Sequence, residues 1–233
     1  MTRSCVVAVE RTYARLYDNA QDLLERAVRR ILGAIGPVGL FLVAIAPSVA
    51  AAQWVPVEQV KTYTVSGSSA IELYSQIGEK GPLVGGQMRT IAHTDFKLLW
   101  SRNYQPQPDG ACTLVSAKPS LTLIYTLPRA GKLPDDLKAK WQVFADGVRR
   151  HERVHGDMIV EMVKEIEAVS VGLSVPNDPK CARIRQELTA KLGEISRRNR
   201  ERHRDYDRLE MNNGGNVHQL ILNLVNDRQD GRK

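Results

Sequence analysis

The sequence predicts an α+β fold in which a small antiparallel sheet with a short helix is followed by two long helices packed against each other. Two observations lead to this prediction. From Trp54 to about Leu127 the segments are short, rich in β-branched residues and alternating in polarity, as half-buried strands are. From Leu133 to about Met211 the apolar residues recur with the period of helices. Strands followed by helices along the chain are typical of α+β domains.

The first 52 residues have the pattern of an export signal. Arg29 and Arg30 precede an uncharged apolar stretch, and small residues at 48–52 offer sites for signal peptidase. The apolar core is short and interrupted by glycine and proline, so it does not predict a membrane span. We expect residues 1–52 to be a signal peptide or, as the alternative, an uncleaved N-terminal anchor. The protein is therefore expected to be periplasmic or secreted.

Local signals place the elements of the first half. The segments "VKTYTVS" (60–66) and "CTLVSAKPSLTLIYTLP" (112–128) alternate in polarity and are predicted strands. Ser69 and Glu72 have the spacing of a capping box, in which two side chains satisfy the first free N–H groups of a helix. A short helix should therefore begin there, and "GEKGP" (78–82) should end it.

The second half contains two long helices. The first runs from Pro134, a residue that suits a first helical turn, to about Ser170. The second begins at Asn177 or Asp178 and ends near Met211, before a glycine pair.

The remaining segments complete the predicted organisation. The apolar stretch "VHQLILNLV" (217–225) predicts a short terminal helix, and residues 227–233 form a polar tail. Residues 53–226 are therefore predicted to be one domain.

The charge of the protein is mildly basic, with a formal net value of +7. This charge suits association with an anionic membrane surface but does not by itself indicate nucleic acid. The cluster "RRNRERHR" (197–204) has five arginines that could neutralise phosphates. It lacks interleaved aromatic residues, however, and a solvated helix face is the commoner explanation. We expect no nucleic-acid partner.

The cysteines predict one disulfide. Cys5 lies in the predicted signal, which leaves Cys112 and Cys181. They have no C-x-x-C spacing, which argues against a thiolate zinc site, and in an oxidising compartment they are expected to pair. The alternative is two unrelated buried thiols.

The segment "HERVH" (151–155) contains the candidate metal-binding and catalytic residues. On a helix, His151 and His155 lie one turn apart, so both imidazoles can reach one zinc ion at about 2 Å. Glu152 is the general base of this H-E-x-x-H pattern and would deprotonate a zinc-activated water. Gly147, one turn earlier, predicts that another group approaches the helix closely.

The histidines lie on the apolar side of their helix. The apolar residues within about 80° of His151 are Phe144, Val148, Met158, Ile159, Met162, Ile166 and Val169. The charged residues Arg150, Arg153, Asp157, Glu161 and Lys164 lie on the opposite side. A buried pair of imidazoles needs partners that offset desolvation, and one metal ion serves both.

A third zinc ligand must come from elsewhere in the chain. Glu161 points away from the histidines on a continuous helix, and Glu165 lies too far along the axis. His203, Asp207 and Glu210 share one face of the second long helix, so the third ligand is predicted among these three. His93 and His218 are weaker candidates, since such histidines more often lie at surfaces or in caps.

The chain resembles the predicted secreted zinc-dependent proteases of bacteria grouped as domain-of-unknown-function family 922. The likeness extends over about residues 60–210 and rests on "YTVSGSSAIELYSQIGEKGP", "RTIAHTDFKLLW", the strand at Cys112, "YTLPRA", "WQVFADGVRRHERVH" and the later Cys181. It implies a zincin-like fold and export. Relatives carry Thr-x-His-Gly after a Tyr-Asp pair, whereas this chain keeps Tyr206 and Asp207 but has Glu210 and Asn212 at those positions.

Two functional hypotheses follow. The first is an exported zinc-dependent metallopeptidase that acts on peptide or protein substrates. In it, Glu152 takes the proton of the attacking water, and Tyr206 helps to stabilise the developing oxyanion. The second is a catalytically inactive envelope protein that keeps the fold, with or without the metal, which the departure at Asn212 favours.

Overall fold

The computed structural model describes residues 54–226. The predicted signal peptide (1–52) and the polar tail (227–233) lie outside the described residues. The strands are β1 (Val57–Val65), β2 (Leu83–Val84), β3 (Met88–Arg89), β4 (His93–Pro106), β5 (Cys112–Ala130) and β6 (Ser174–Val175). The helices are α1 (Ala70–Lys80), α2 (Asp135–Ser170), α3 (Arg183–Met211) and α4 (Asn216–Val225). The predicted α+β class and the packing of the two long helices are confirmed.

The main sheet is mixed, which corrects the expectation of an antiparallel sheet. β4 and β6 are antiparallel to β5, but β1 runs parallel to it, with Val57 opposite Thr122 and Val65 opposite Ala130. Parallel strands need a long crossover, and α1, the β2–β3 hairpin and β4 provide it. Alternating polarity reveals a strand but not its direction, so the sequence pattern could not distinguish the two arrangements.

β4 and β5 are longer than the short segments expected from the sequence, with 14 and 19 residues. They form one hairpin whose turn contains Gly110 at a φ of 81°, in the left-handed region that glycine adopts readily. Helix α1 begins as predicted, because the Ser69 side chain accepts a hydrogen bond from the backbone N–H of Glu72.

Helix α2 packs its apolar side on the inner face of the sheet and forms the main core. Phe144, Val148, Ile159 and Val163 are at most 2 % exposed. Gly156 allows this close packing, because a Cβ there would lie 2.1 Å from the hydroxyl oxygen of Tyr125 on β5. The buried apolar stripe on this helix therefore faces the sheet.

The close approach predicted at Gly147 is present, and the neighbour is Leu220 on α4. A Cβ at this position would lie 2.2 Å from a methyl carbon of Leu220 on α4. The absence of a side chain at Gly147 therefore lets the terminal helix α4 pack closely against α2. This close contact does not involve the histidine pair.

The predicted disulfide joins Cys112 at the start of β5 to Cys181 just before α3. Both cysteines are buried in a second apolar cluster with Leu114, Ile184 and Leu188. The bond therefore attaches the N-terminal end of α3 to the far end of the sheet from the H-E-x-x-H segment.

Helix α3 begins at Arg183, which corrects the predicted start at Asn177 or Asp178. Asp178 lies before the helix, and its carboxylate accepts hydrogen bonds of 2.9 Å from the backbone N–H groups of Ala182 and Ile184. Burial raises the pKa of Asp178, but these hydrogen bonds outweigh it and lower the pKa below its ordinary value. Asp178 therefore binds backbone N–H groups at the start of α3, but the N-cap is Ala182 and the predicted start was too early.

Within residues 54–226, no helix is both long and apolar enough to cross a bilayer.

Candidate metal centre

Three ligand atoms from α2 and α3 converge at one point. His151 Nε2 lies 3.2 Å from His155 Nε2, as expected for histidines one turn apart. Asp207 Oδ1, from α3, lies 3.2 Å from His151 Nε2 and 2.9 Å from His155 Nε2. The His151, His155 and Asp207 group could therefore hold a metal ion.

The spacing of these atoms fits tetrahedral zinc. Ligand atoms about 2.0–2.1 Å from a tetrahedral ion lie about 3.3 Å from one another, and all three observed separations are close to this value. Two imidazole nitrogens and a carboxylate oxygen are also a donor set that zinc accepts. If the group holds a tetrahedral ion, three protein ligands would leave a fourth position open.

The electrostatics of the group favour a cation. Burial lowers the pKa of His151, but the hydrogen bond to Asp207 and the charges of Glu152, Asp207 and Glu210 raise it overall. Within the described part of the chain, no lysine or arginine forms an ion pair with any of these three carboxylates. Their negative charge in a half-buried place would be offset by a divalent ion.

His203 and Glu210, the other two candidates for the third ligand, contact the far sides of the histidine rings. His203 Nδ1 lies 2.7 Å from His155 Nδ1, and Glu210 Oε2 lies 3.7 Å from His151 Nδ1. Neither contact involves the Nε2 atoms that meet Asp207. His203 is therefore placed to orient the His155 ring and set its tautomer, whereas Glu210 is too far from His151 Nδ1 for a hydrogen bond, and that nitrogen has no hydrogen-bond partner within residues 54–226. Burial lowers the pKa of His203 to about 4, so its ring is neutral near pH 7.

Glu152 is almost fully buried, with 5 % of its surface exposed. Thr94 Oγ1 on β4 donates to Glu152 Oε2 at 2.6 Å and also contacts the Glu152 backbone oxygen at 3.0 Å. The hydroxyl therefore fixes the carboxylate beside the histidines. Sequence reasoning missed Thr94, because nothing in a strand threonine indicates a contact to a helix 58 residues away.

Tyr206 packs its ring flat against His151, with ring centroids 4.8 Å apart. Burial raises the pKa of Tyr206 to about 12, so the phenol keeps its proton. It is not among the residues that line the cavity next to the histidines. Its observed contact holds the His151 ring in place.

The cavity beside the group has a volume of about 540 Å³ and is lined by His151, Glu152, His155, His203 and Asp207 among others. His93 also lines it. His218 accepts a hydrogen bond from the Gly214 N–H near the start of α4. Glu161 and Glu165 form ion pairs with Arg202 and Arg198, away from the histidines.

Comparison with known proteins gives one match. A family model described as "Bacterial protein of unknown function (DUF922)" matches residues 60–215. No curated protein and no solved structure matches the chain.

Proposed function

This chain belongs to the DUF922 family of bacterial proteins of unknown function, and we propose that it is an exported zinc-dependent hydrolase that cleaves peptide bonds. The observation that carries the proposal is the His151, His155 and Asp207 group with Glu152 beside it. A metal site at the wall of a cavity, adjacent to a buried carboxylate, combines the parts that metal-assisted hydrolysis requires.

The two ligand histidines are pre-oriented. Once His155 gives Nε2 to a metal, the proton of its neutral ring lies on Nδ1, which then donates to His203 Nδ1 at 2.7 Å. The low pKa of His203 supports this arrangement, because a protonated His203 could not accept that hydrogen bond. His151 is held between the Tyr206 ring and Asp207.

Glu152 is the general base of the proposed reaction. Thr94 engages Oε2, and within residues 54–226 no group donates a hydrogen bond to Oε1, so Oε1 is the atom placed to accept a proton. A zinc ion, when bound, supplies Lewis-acid chemistry that polarises a carbonyl and makes a water nucleophile accessible near neutral pH. Glu152 takes the proton of the attacking water and delivers it to the leaving amine.

Export is supported by the disulfide. The Cys112–Cys181 bond forms and persists in oxidising compartments, and it is rare in reducing ones. Together with the signal-like segment at 1–52, the bond supports a periplasmic or secreted location.

The proposal is tested with Glu152→Gln, which keeps the size of the side chain but cannot act as a base. We expect this variant to retain zinc and to lose peptide hydrolysis, measured on casein and on a fluorogenic peptide library. Glu161→Gln is the matched control, because Glu161 is on the same helix and pairs with Arg202 at the surface. Equal turnover in Glu152→Gln and the parent protein would contradict the mechanism.

The second candidate function is a metal-binding envelope protein without activity. The family resemblance implies histidine at the position of Asn212, and its absence here favours this candidate. Bound zinc without turnover in the parent protein would support it.

A nucleic-acid or phospholipid stripe at 197–204 has less support. Three of its five arginines already pair with carboxylates; these are Arg197, Arg198 and Arg202.

A further inference from the structure

The cavity beside the metal group is large enough to receive part of a substrate. Its volume of about 540 Å³ is within the range of about 300–1,000 Å³ that is usual for ligand pockets. It is continuous with the candidate site, because His151, Glu152 and Asp207 all line it. A group bound at the metal would therefore project its neighbouring atoms into this space.

The walls away from the metal group are mostly apolar, with Arg89, Thr90, His93 and Thr94 as the polar residues. They come from α1, the β2–β3 hairpin, the segment before β4, α2 and α4, and include Tyr74, Val84, Met88, Ile91, Val148 and Val217. Apart from the metal group and Glu152, Arg89 is the only lysine, arginine, aspartate or glutamate among the lining residues. Its guanidinium already donates to the Gly81 backbone oxygen at 2.7 Å. Such a cavity favours an apolar occupant over a basic one, since a basic group away from the metal group would lose hydration without gaining a carboxylate partner.

The β2–β3 hairpin forms the outer wall. Val84 and Met88 are cross-strand partners in the hairpin, and both line the cavity. Three residues, Gly85, Gly86 and Gln87, connect the two strands, and the two glycines have φ values of 61° and 75°, in the left-handed region that favours glycine. Met88 is nevertheless 64 % exposed, so a large apolar side chain at the edge of the cavity remains uncovered. An apolar group bound beside it would remove this surface from water.

We propose that the substrates are peptides with a bulky apolar side chain next to the cleaved bond, and that this side chain occupies the cavity against Val84 and Met88. The inference rests on the proposed function, because it assigns a substrate class to the same site. A pocket of this kind discriminates leucine or phenylalanine from smaller side chains by about 10- to 200-fold for each methylene-sized difference.

The first experiment changes the polarity of the wall. Peptides that differ only next to the cleaved bond, with leucine, phenylalanine, alanine, aspartate or lysine, are compared by kcat/KM. We expect the parent protein to prefer leucine and phenylalanine, and Met88→Asp to lose that preference and gain cleavage of the lysine peptide. Leu83→Asp is the matched control, because Leu83 is on the same hairpin and 51 % exposed but does not line the cavity. Equal rates for all peptides, or the same change in both variants, would overturn the proposal.

The second experiment measures the binding of small probes to the cavity independently of catalysis. N-acetyl-phenylalaninamide and N-acetyl-aspartate amide are titrated into full-length protein carrying methyl-¹³C methionine, and the methyl resonances are followed by NMR. Met88 and Met211 line the cavity and should shift with the apolar probe only. Met158 and Met162 lie between α2 and α3, in a groove crossed by the Glu161 and Glu165 ion pairs, and should not shift.

The two experiments separate the failure of the substrate proposal from that of the function. Shifts confined to Met88 and Met211, in a protein that cleaves no peptide, would support the apolar site and contradict the hydrolase. Uniform shifts, no shifts, or equal response to both probes would overturn the apolar site even in an active enzyme.

Discussion

Replacing Thr94 by valine removes the hydroxyl that holds Glu152 and keeps the shape of the side chain. The lost hydrogen bond of 2.6 Å goes to a carboxylate that is only 5 % exposed. Hydrogen bonds to charged groups are worth about 1.5–3 kcal/mol, and little solvent is available to replace this one. If the bond acts mainly in positioning the base, kcat should fall by about 10- to 150-fold.

The assay measures kcat, KM and zinc content of Thr94→Val and of Thr94→Ser, which restores a hydroxyl. We expect kcat to fall in the valine variant with KM and zinc unchanged, and to recover in the serine variant. Urea unfolding of zinc-free protein should show that Thr94→Val is less stable by about 1–3 kcal/mol. Thr122→Val is the control, because its hydroxyl forms no hydrogen bond within the described residues. Unchanged turnover and stability in Thr94→Val would show that the Thr94 hydroxyl does not hold Glu152 in position.

Three further predictions concern the fold. Replacing both Cys112 and Cys181 by alanine should lower the free energy of unfolding by about 4 kcal/mol in urea, since the bond closes a loop with a sequence separation of 69. Gly156→Ala should lower the free energy of unfolding by about 1–3 kcal/mol, because the added methyl group would clash with the Tyr125 hydroxyl on β5. Gly193→Ala, which has open space around it in α3, should instead raise the free energy of unfolding by about 0.5–1 kcal/mol. Asp178 has a lowered pKa, so its stabilisation is present above about pH 4 and is lost as the pH falls below it. The free energy of unfolding in urea, measured at several pH values, should therefore fall less on acidification in Asp178→Asn than in the parent protein. Identical pH profiles for the two proteins would contradict the capping role.

The sequence could predict the elements whose signals are local. The capping residue Ser69, the apolar stripe of α2 and the cysteine pair each depend on a short pattern or a simple count, and the structure agrees with them. The parallel direction of β1 and the identity of the residue that packs on Gly147, Leu220, depend on long-range packing. No periodicity or composition encodes such contacts.

In the candidate metal centre too, local patterns could be predicted from the sequence and long-range contacts could not. His151 and His155 are neighbours because of helix geometry, so their spacing could be read directly. The sequence narrowed the third ligand to a face of α3, and the crossing of two helices then brings Asp207 rather than His203 to the Nε2 atoms. Thr94 reaches Glu152 only because β4 lies under α2, which no local signal reveals.

The metal site is tested by measuring the zinc content of the purified protein. We expect about one tightly bound zinc ion per chain, removable by a chelator and restored by added zinc. Asp207→Ala should lose this zinc, whereas Asp205→Ala, on the same helix but paired with Arg208, should keep it. Parent protein that contains no zinc and takes up none, or an Asp207→Ala variant that binds zinc as tightly as the parent, would rule out a zinc site formed by His151, His155 and Asp207.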